Sequence, residues 1–156
     1  MAKYIAVIGP SDCSSTERDD AFKIGAMLAA RGAVLICGGG SGVMEAASSG
    51  ASSENGVVIG ILPGDDNGAG NPYLTYAIAT GLGEARNAII ARTADALIAV
   101  GGEYGTLSEI ALAMKMGKKV ILLKSWHLQP ARPADYMPII ANSVAEAVQL
   151  SGGRSC

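Results

Sequence analysis

The chain has 156 residues, 49 % of them hydrophobic but only 4 % aromatic, and a formal net charge of −2. A domain near that length buries roughly 68 to 70 % of the surface that its unfolded chain exposes, so one core of Ala, Val, Ile, Leu and Met is enough. The weak negative charge, without a run of Lys or Arg, argues against nucleic acid or an anionic membrane as partner, and the few aromatics argue against a stacking surface for bare nucleic acid.

In chain order, Tyr4 to Ile8 is a short apolar run that predicts a strand ending at Gly9-Pro10. Met-Ala-Lys leads straight into it, so no signal peptide is expected. Ser14-Ser15-Thr16-Glu17 offers a capping box for a helix carrying Ala21, Ile24, Met27 and Leu28 on one side and stopping near Arg31-Gly32. Ala33 to Cys37 predicts the second strand, and a helix of small residues follows from about Gly42 to Ser52. Val57 to Leu62 predicts a third strand, too short to span a membrane. The polar stretch from Gly64 to Pro72 lies beyond that strand's carboxyl end, where it could form a lid. Asp65 and Asp66 within it could hold a magnesium ion, although adjacent acids in a polar loop are usually just solvated.

Thr75 to Ala79 then predicts a strand, Glu84 to Thr93 a helix, Ala96 to Val100 a strand, and Thr106 to Met116 a helix closed by Gly117. Val120 to Leu123 is a further strand, Lys124 to Pro138 is irregular, Ser143 to Leu150 predicts a last helix, and Ser151 to Cys156 a frayed end. Strands alternate with helices, and connections between parallel strands are right-handed. The expected fold is therefore α/β, a Rossmann-like doubly wound, mostly parallel sheet with helices on both faces. No repeat or linker interrupts residues 1–156, which read as one nucleotide- or phosphate-binding domain. Ligands of such sheets sit beyond the carboxyl ends of the strands, near the topological switch point.

Two glycine-rich loops fall at strand ends. In Gly38-Gly39-Gly40-Ser41-Gly42, the missing Cβ atoms let backbone amides approach an anion, and the following helix start adds unpaired N–H groups and partial positive charge. The loop lacks both the Gly-Lys-Ser/Thr ending of a P-loop and the spacing of a dinucleotide fingerprint. The second loop, Gly101-Gly102-Glu103-Tyr104-Gly105-Thr106, should bring a second set of amides beside the first, so that both clamp one phosphate. Thr106 and Glu109 have the spacing of a capping box, which leaves Glu109 either a cap or a ligand group. Arg86 falls in the first turn of a predicted helix, where the macrodipole disfavours a cation by about 0.3 to 1 kcal/mol. Glu84, Glu109 or a bound phosphate could compensate it. Cys13, Cys37 and Cys156 have no metal-like spacing and His127 is the only histidine, so no metal site is expected and the cysteine usage points to a reducing cytoplasm.

The stretch from Ile5 to about Leu123 resembles the Lonely Guy family, once labelled lysine decarboxylase-like, and its relatives the molybdenum cofactor carrier proteins. The motif Pro-Gly-Gly-x-Gly-Thr-x-x-Glu aligns without a gap on Gly101-Gly102-Glu103-Tyr104-Gly105-Thr106-Leu107-Ser108-Glu109. An Arg-bearing helix followed by an Ala-Asp-Ala strand entry matches Arg86 and Ala94-Asp95-Ala96. The resemblance implies hydrolysis of a nucleoside monophosphate's N-glycosidic bond by Arg86 and Glu109, with no cofactor required, and offers no decarboxylase mechanism. Gly101 and Glu103 replace the enzymes' Pro and Gly, and the first loop, running on to Met44, is a residue shorter. Those departures point to the carrier branch, whose members bind a phosphorylated pterin, so that the molybdenum cofactor would be a carried ligand. The resemblance also implies a homodimer or higher homo-oligomer. The expected ligand set comprises Gly9, Ser11, Gly38, Gly39, Gly40, Ser41, Gly42, Met44, Arg86, Gly101, Gly102, Glu103, Tyr104, Gly105, Thr106 and Glu109. Three readings stay open: carrier, phosphoribohydrolase and nucleotide-sensing regulatory domain.

Overall fold

A strand covered by helices on both faces has no polar side to show, and the short unbroken apolar runs become such strands. In a computed structural model describing residues 1–132 and 136–152, they are β1 (Tyr4–Ile8), β2 (Val34–Cys37), β3 (Val58–Leu62), β5 (Ala96–Val100) and β6 (Lys119–Leu123). All five side chains of β5 are buried. Edge strands β4 (Tyr76–Ala79) and β7 (Ile139–Ala141) complete a seven-stranded sheet of order β4-β3-β2-β1-β5-β6-β7. Every neighbouring pair runs parallel.

Helices α1 (Ser15–Ala30), α2 (Val43–Ser53) and α5 (Val144–Gly152) cover one face, and α3 (Asn87–Thr93) and α4 (Tyr104–Lys115) the other. Alternation within β5 divides the core: Ala96, Ile98 and Val100 face the first layer, Leu97 and Ala99 the second. This is the doubly wound Rossmann-like α/β fold expected from the alternating elements. Ser14 caps α1 through the predicted box: its Oγ accepts from the Glu17 amide at 3.1 Å, and Glu17 Oε2 accepts from the Ser14 amide at 3.0 Å. Among the described residues, no helix is long and apolar enough to cross a membrane.

Four boundaries differ from the expectations. β7 is a strand not foreseen: three residues are too few to show a period, and the strand arises by pairing with β6, Ile121 against Ile139 and Leu123 against Ala141. The predicted helix from Glu84 divides into a 3-10 turn, Gly83–Arg86, and α3. α4 begins at Tyr104, two residues before Thr106, so Thr106 lies inside the helix and cannot cap it; Glu103 holds the cap position instead. α5 extends through a buried Ser151 to Gly152, where a frayed end was expected, while residues 153–156 of that predicted end, Cys156 included, lie outside the described residues.

Close contact between α1 and α2 requires two glycines. A Cβ on Gly25 would collide with the Ala47 carbonyl oxygen, and one on Gly50 with the Phe22 carbonyl oxygen. Overpacking of this kind typically costs about 1 to 3 kcal/mol. Gly25→Ala is expected to lose stability in that range, read as a lower urea midpoint at unchanged slope.

Candidate ligand-binding cleft

The chain leaves β1 toward β2 on one side and reaches β5 on the other, so the carboxyl ends of these neighbours open a crevice between diverging connections. A cleft of about 140 Å³ lies there. The turn after β1 supplies Gly9, Pro10 and Ser11, α2 supplies Met44, the start of α3 supplies Arg86 and Asn87, and the start of α4 supplies Glu103, Gly105, Thr106 and Glu109. A larger hollow of about 460 Å³ sits at the opposite end of the sheet against Lys3, Leu28 and Arg31. It lies away from the strands' carboxyl ends and from both glycine-rich loops.

α4 begins without a cap. Glu103 stands in extended conformation at its N-cap and accepts no hydrogen bond there with its side chain. The first amide of the segment bonded to the chain is that of Leu107, which donates to the Glu103 carbonyl at 2.9 Å, so the amides of Tyr104, Gly105 and Thr106 have no protein acceptor among the described residues. Unpaired first-turn amides together with the macrodipole place partial positive charge at this end of the cleft.

Arg86 is fixed from behind by carbonyls. Its Nε donates to Ile61 O at 2.9 Å and its Nη2 to Gly38 O at 3.4 Å, while Nη1 donates to Asn87 Oδ1. Asn87 Nδ2 in turn donates to Ser108 Oγ at 3.0 Å, which donates to Gly105 O at 2.6 Å. One polar chain therefore ties the guanidinium to the first turn of α4. Gly38 makes the arrangement possible, since a Cβ there would stand 2.8 Å from Arg86 Nη2 and 2.8 Å from Met44 Sδ. The surface pair that Glu84 offered does not form, and Arg86 has no ion-pair partner among the described residues.

Glu109 is 7 % exposed, and its carboxyl has no hydrogen-bond partner among the described residues. The capping role that its spacing from Thr106 allowed is absent, because α4 starts earlier. Burial raises its pKa from 4.5 to about 8, with the Arg86 charge pulling in the other direction. A carboxyl raised that far is mostly protonated near neutral pH, and Arg86 and the exposed Glu103 are the other ionisable side chains lining the cleft. Burial likewise raises the pKa of the Cys37 thiol behind it.

The first glycine-rich loop is tied to the chain at several points, while the amides of Gly40, Ser41 and Gly42 have no protein acceptor among the described residues. The Gly39 amide donates to Cys37 Sγ at 3.3 Å, and Ser41 Oγ donates to Ser11 O at 3.2 Å. Asn71 pins the loop from the polar segment: its amide donates to Gly39 O at 2.8 Å and its Nδ2 to Gly40 O at 3.0 Å. Gly39, Gly40, Ser41 and Gly42 thus shape the wall without lining the cleft, whereas Gly9, Ser11, Met44, Arg86, Glu103, Gly105, Thr106 and Glu109 meet in it. Gly101 is buried below the second loop, and Gly102 and Tyr104 lie exposed at its edge. Pro10, Asn87 and Asn71 escaped the sequence reading; an Asn beside a Pro reads only as a turn, and an Asn at a helix start only as a cap. Among the described residues no group of three or more His, Cys, Asp or Glu could hold a metal ion.

The model of the SLOG cluster4 family matches residues 2–149. The chain belongs to the SLOG cluster4 family. Among solved structures similar to this member are the molybdenum cofactor binding protein of Rippkaea orientalis, with TM-score 0.86, 37 % identity, and coverage of 96 % of this chain and 95 % of that one. The molybdenum cofactor carrier protein of Chlamydomonas reinhardtii gives TM-score 0.81 and 32 % identity over 95 % of this chain and 94 % of that one. A protein of Archaeoglobus fulgidus without assigned function is 48 % identical over 77 % of this chain and 79 % of its own. The cytokinin riboside 5'-monophosphate phosphoribohydrolase LOG of Oryza sativa subsp. japonica is 38 % identical over 60 % of this chain, a match spanning only 40 % of that enzyme. These relatives place this SLOG member in the Lonely Guy superfamily, beside the molybdenum cofactor carriers.

The protonation of Glu109 has a consequence for stability. The unfolded chain releases this proton near the ordinary 4.5 and the folded chain keeps it to about 8, so the stabilisation is complete below the first value and is lost as pH rises to the second. Glu109→Gln keeps the shape without the proton, and is expected to flatten that decline. Thermal melts from about pH 5 to pH 9 should show the variant gaining several degrees on the parent at the alkaline end, since ~1 kcal/mol is worth roughly 2 to 4 °C in a domain of this size.

Proposed function

We propose that the protein binds a phosphorylated pterin- or nucleotide-like small molecule and holds it without turnover, as a carrier of the molybdenum cofactor type. The observation that carries this reading is the pair of unsatisfied amides at Gly105 and Thr106, residues that line the same cleft as Arg86, with the unpaired Tyr104 amide next to them in the chain. A guanidinium has five N–H donors; three are spent on Ile61, Gly38 and Asn87, and two are left for an oxyanion. A helix start and an Arg together suit a terminal phosphate, which needs several convergent donors and positive charge. At about 140 Å³ the cleft has head-group size, well below the roughly 300 to 1,000 Å³ of pockets that enclose a whole ligand. The rest of the ligand would lie outside it.

Two considerations favour holding over hydrolysis. The molybdenum cofactor proteins match along nearly their whole length, whereas the LOG match covers 40 % of the enzyme. Burial also raises the Glu109 pKa to about 8, which favours the protonated form, a donor to a ligand, near neutral pH. The hydrolase reading keeps one observation on its side, the placement of Arg86 and Glu109 in one cleft. In that reading Arg86 anchors the phosphate while an ionised Glu109 directs water to the anomeric carbon and stabilises oxocarbenium character. Free thiols at Cys13 and Cys37 support a reducing compartment, and exposed Tyr76 and Ile78 on edge strand β4 support self-association.

Native mass spectrometry of freshly purified protein should show a retained pterin or nucleotide. Arg86→Ala should weaken its binding roughly 10- to 100-fold, because hydrogen bonds to charged groups contribute about 1.5 to 3 kcal/mol. Release of free base from nucleoside monophosphates, abolished by Glu109→Gln, would replace the carrier reading with the hydrolase.

A further inference from the structure

We propose that Tyr104 and Trp126 form an aromatic platform at the mouth of the cleft, which takes the planar heterocycle of the ligand and selects heterocyclic phosphates over simple sugar phosphates. The inference rests on the phosphate reading and adds what lies beyond the phosphate.

Tyr104 is the first residue of α4, so its amide belongs to the unpaired row while its side chain turns outward, 81 % exposed. Isolated exposed aromatics are common on protein surfaces. This one is held in place: its ring centroid lies 5.7 Å from that of Trp126, at an interplanar angle of 43°. Trp126 is itself pinned, its Nε1 donating to the Glu103 carbonyl at 3.2 Å. Gly102 admits this contact, since a Cβ there would stand 2.7 Å from the same nitrogen. Two rings are thus oriented by the very turn that presents the amides, one by its chain position and one by a hydrogen bond to the N-cap residue.

A second observation lies beside Trp126, at the neighbouring Ser125. Ser125 Oγ is buried and is the one buried side-chain polar atom among the described residues that lacks a partner. It lines a hollow of about 220 Å³ that Trp126 also lines, beside the carboxyl ends of β6 and β7. An unmade hydrogen bond in a buried hydroxyl is unfavourable unless something else completes it. A fused heterocycle has both parts that this surface would meet: a flat face for the rings and a rim of N–H and C=O groups for a hydroxyl. A ligand whose ring lies a short linker from its phosphate, as in a nucleoside monophosphate or a pterin phosphate, could reach platform and amides together.

The experiment compares two ligands that share a phosphate and differ in the ring, GMP and ribose 5-phosphate, by titration calorimetry. Guanine carries the same 2-amino-4-oxo pyrimidine edge as a pterin. Wild-type protein should prefer GMP by roughly 5- to 100-fold, the effect of stacking one base on an aromatic side chain. Trp126 is the only tryptophan, so GMP should also quench the intrinsic fluorescence and ribose 5-phosphate should not. Tyr104→Ala and Trp126→Leu should each lower the ratio of the two affinities toward one, while Tyr104→Phe retains it. A ratio near one in wild-type protein that still binds ribose 5-phosphate, or a preference that survives both substitutions, overturns the platform and leaves the phosphate site standing. Failure of wild-type protein to bind either compound or inorganic phosphate overturns both.

Discussion

The cleft depends on the divergence of the chain between β1 and β5. These two strands lie side by side at the centre of the sheet, yet one connection runs out toward β2 and the other arrives from the far edge beyond β4. Their carboxyl ends are therefore not roofed by a shared crossover, and the turns after Ile8 and Val100 face one another across open space. α4 starts at that gap with its first amides unpaired, and Arg86 enters from α3 on the same layer. Remove the divergence and the same residues would lie on separate surfaces.

Electrostatics at this point are lopsided by construction. The half-buried guanidinium of Arg86 would ordinarily take a carboxylate, because an uncompensated charge away from water is unfavourable. Here the nearby carboxyl is in its neutral form, and the guanidinium is held by the dipoles of two main-chain carbonyls and an amide. That leaves the inner part of the cleft with a guanidinium and a donor-rich wall, and the exposed Glu103 carboxyl at its rim. The arrangement is explicable if the missing negative charge belongs to a ligand, and Glu109 then adds a further donor instead of a competing anion.

Much of this was legible beforehand because it depends on local rules. The capping box at Ser14 and Glu17, the left-handed glycines that end α1 and α4 at Gly32 and Gly117, and the apolar runs of the central strands follow from residues near one another in the chain. The short edge strand β7 was illegible because a three-residue run has no identity apart from its partner β6. The start of α4 was misjudged for a related reason: Thr106 and Glu109 have a capping spacing, but the backbone turns into the helix two residues earlier, where Gly101 takes a positive φ of 64° beside Glu17.

Taken alone, the amino-acid sequence determined the alternation of elements, hence a parallel doubly wound sheet, and the placement of both glycine-rich loops and Arg86 at its functional end. It did so because helix periodicity, caps and strand composition act over a few residues. Only the tertiary structure decided the division of labour between the loops. Gly38 to Gly42 became a wall tied down by Cys37, Ser11 and Asn71, and it was the start of α4, at Gly105 and Thr106, whose unpaired amides came to line the cleft. Only the fold, too, buried Glu109 without a hydrogen-bond partner among the described residues and brought Trp126 against Tyr104, since desolvation and ring contact depend on residues far apart along the chain.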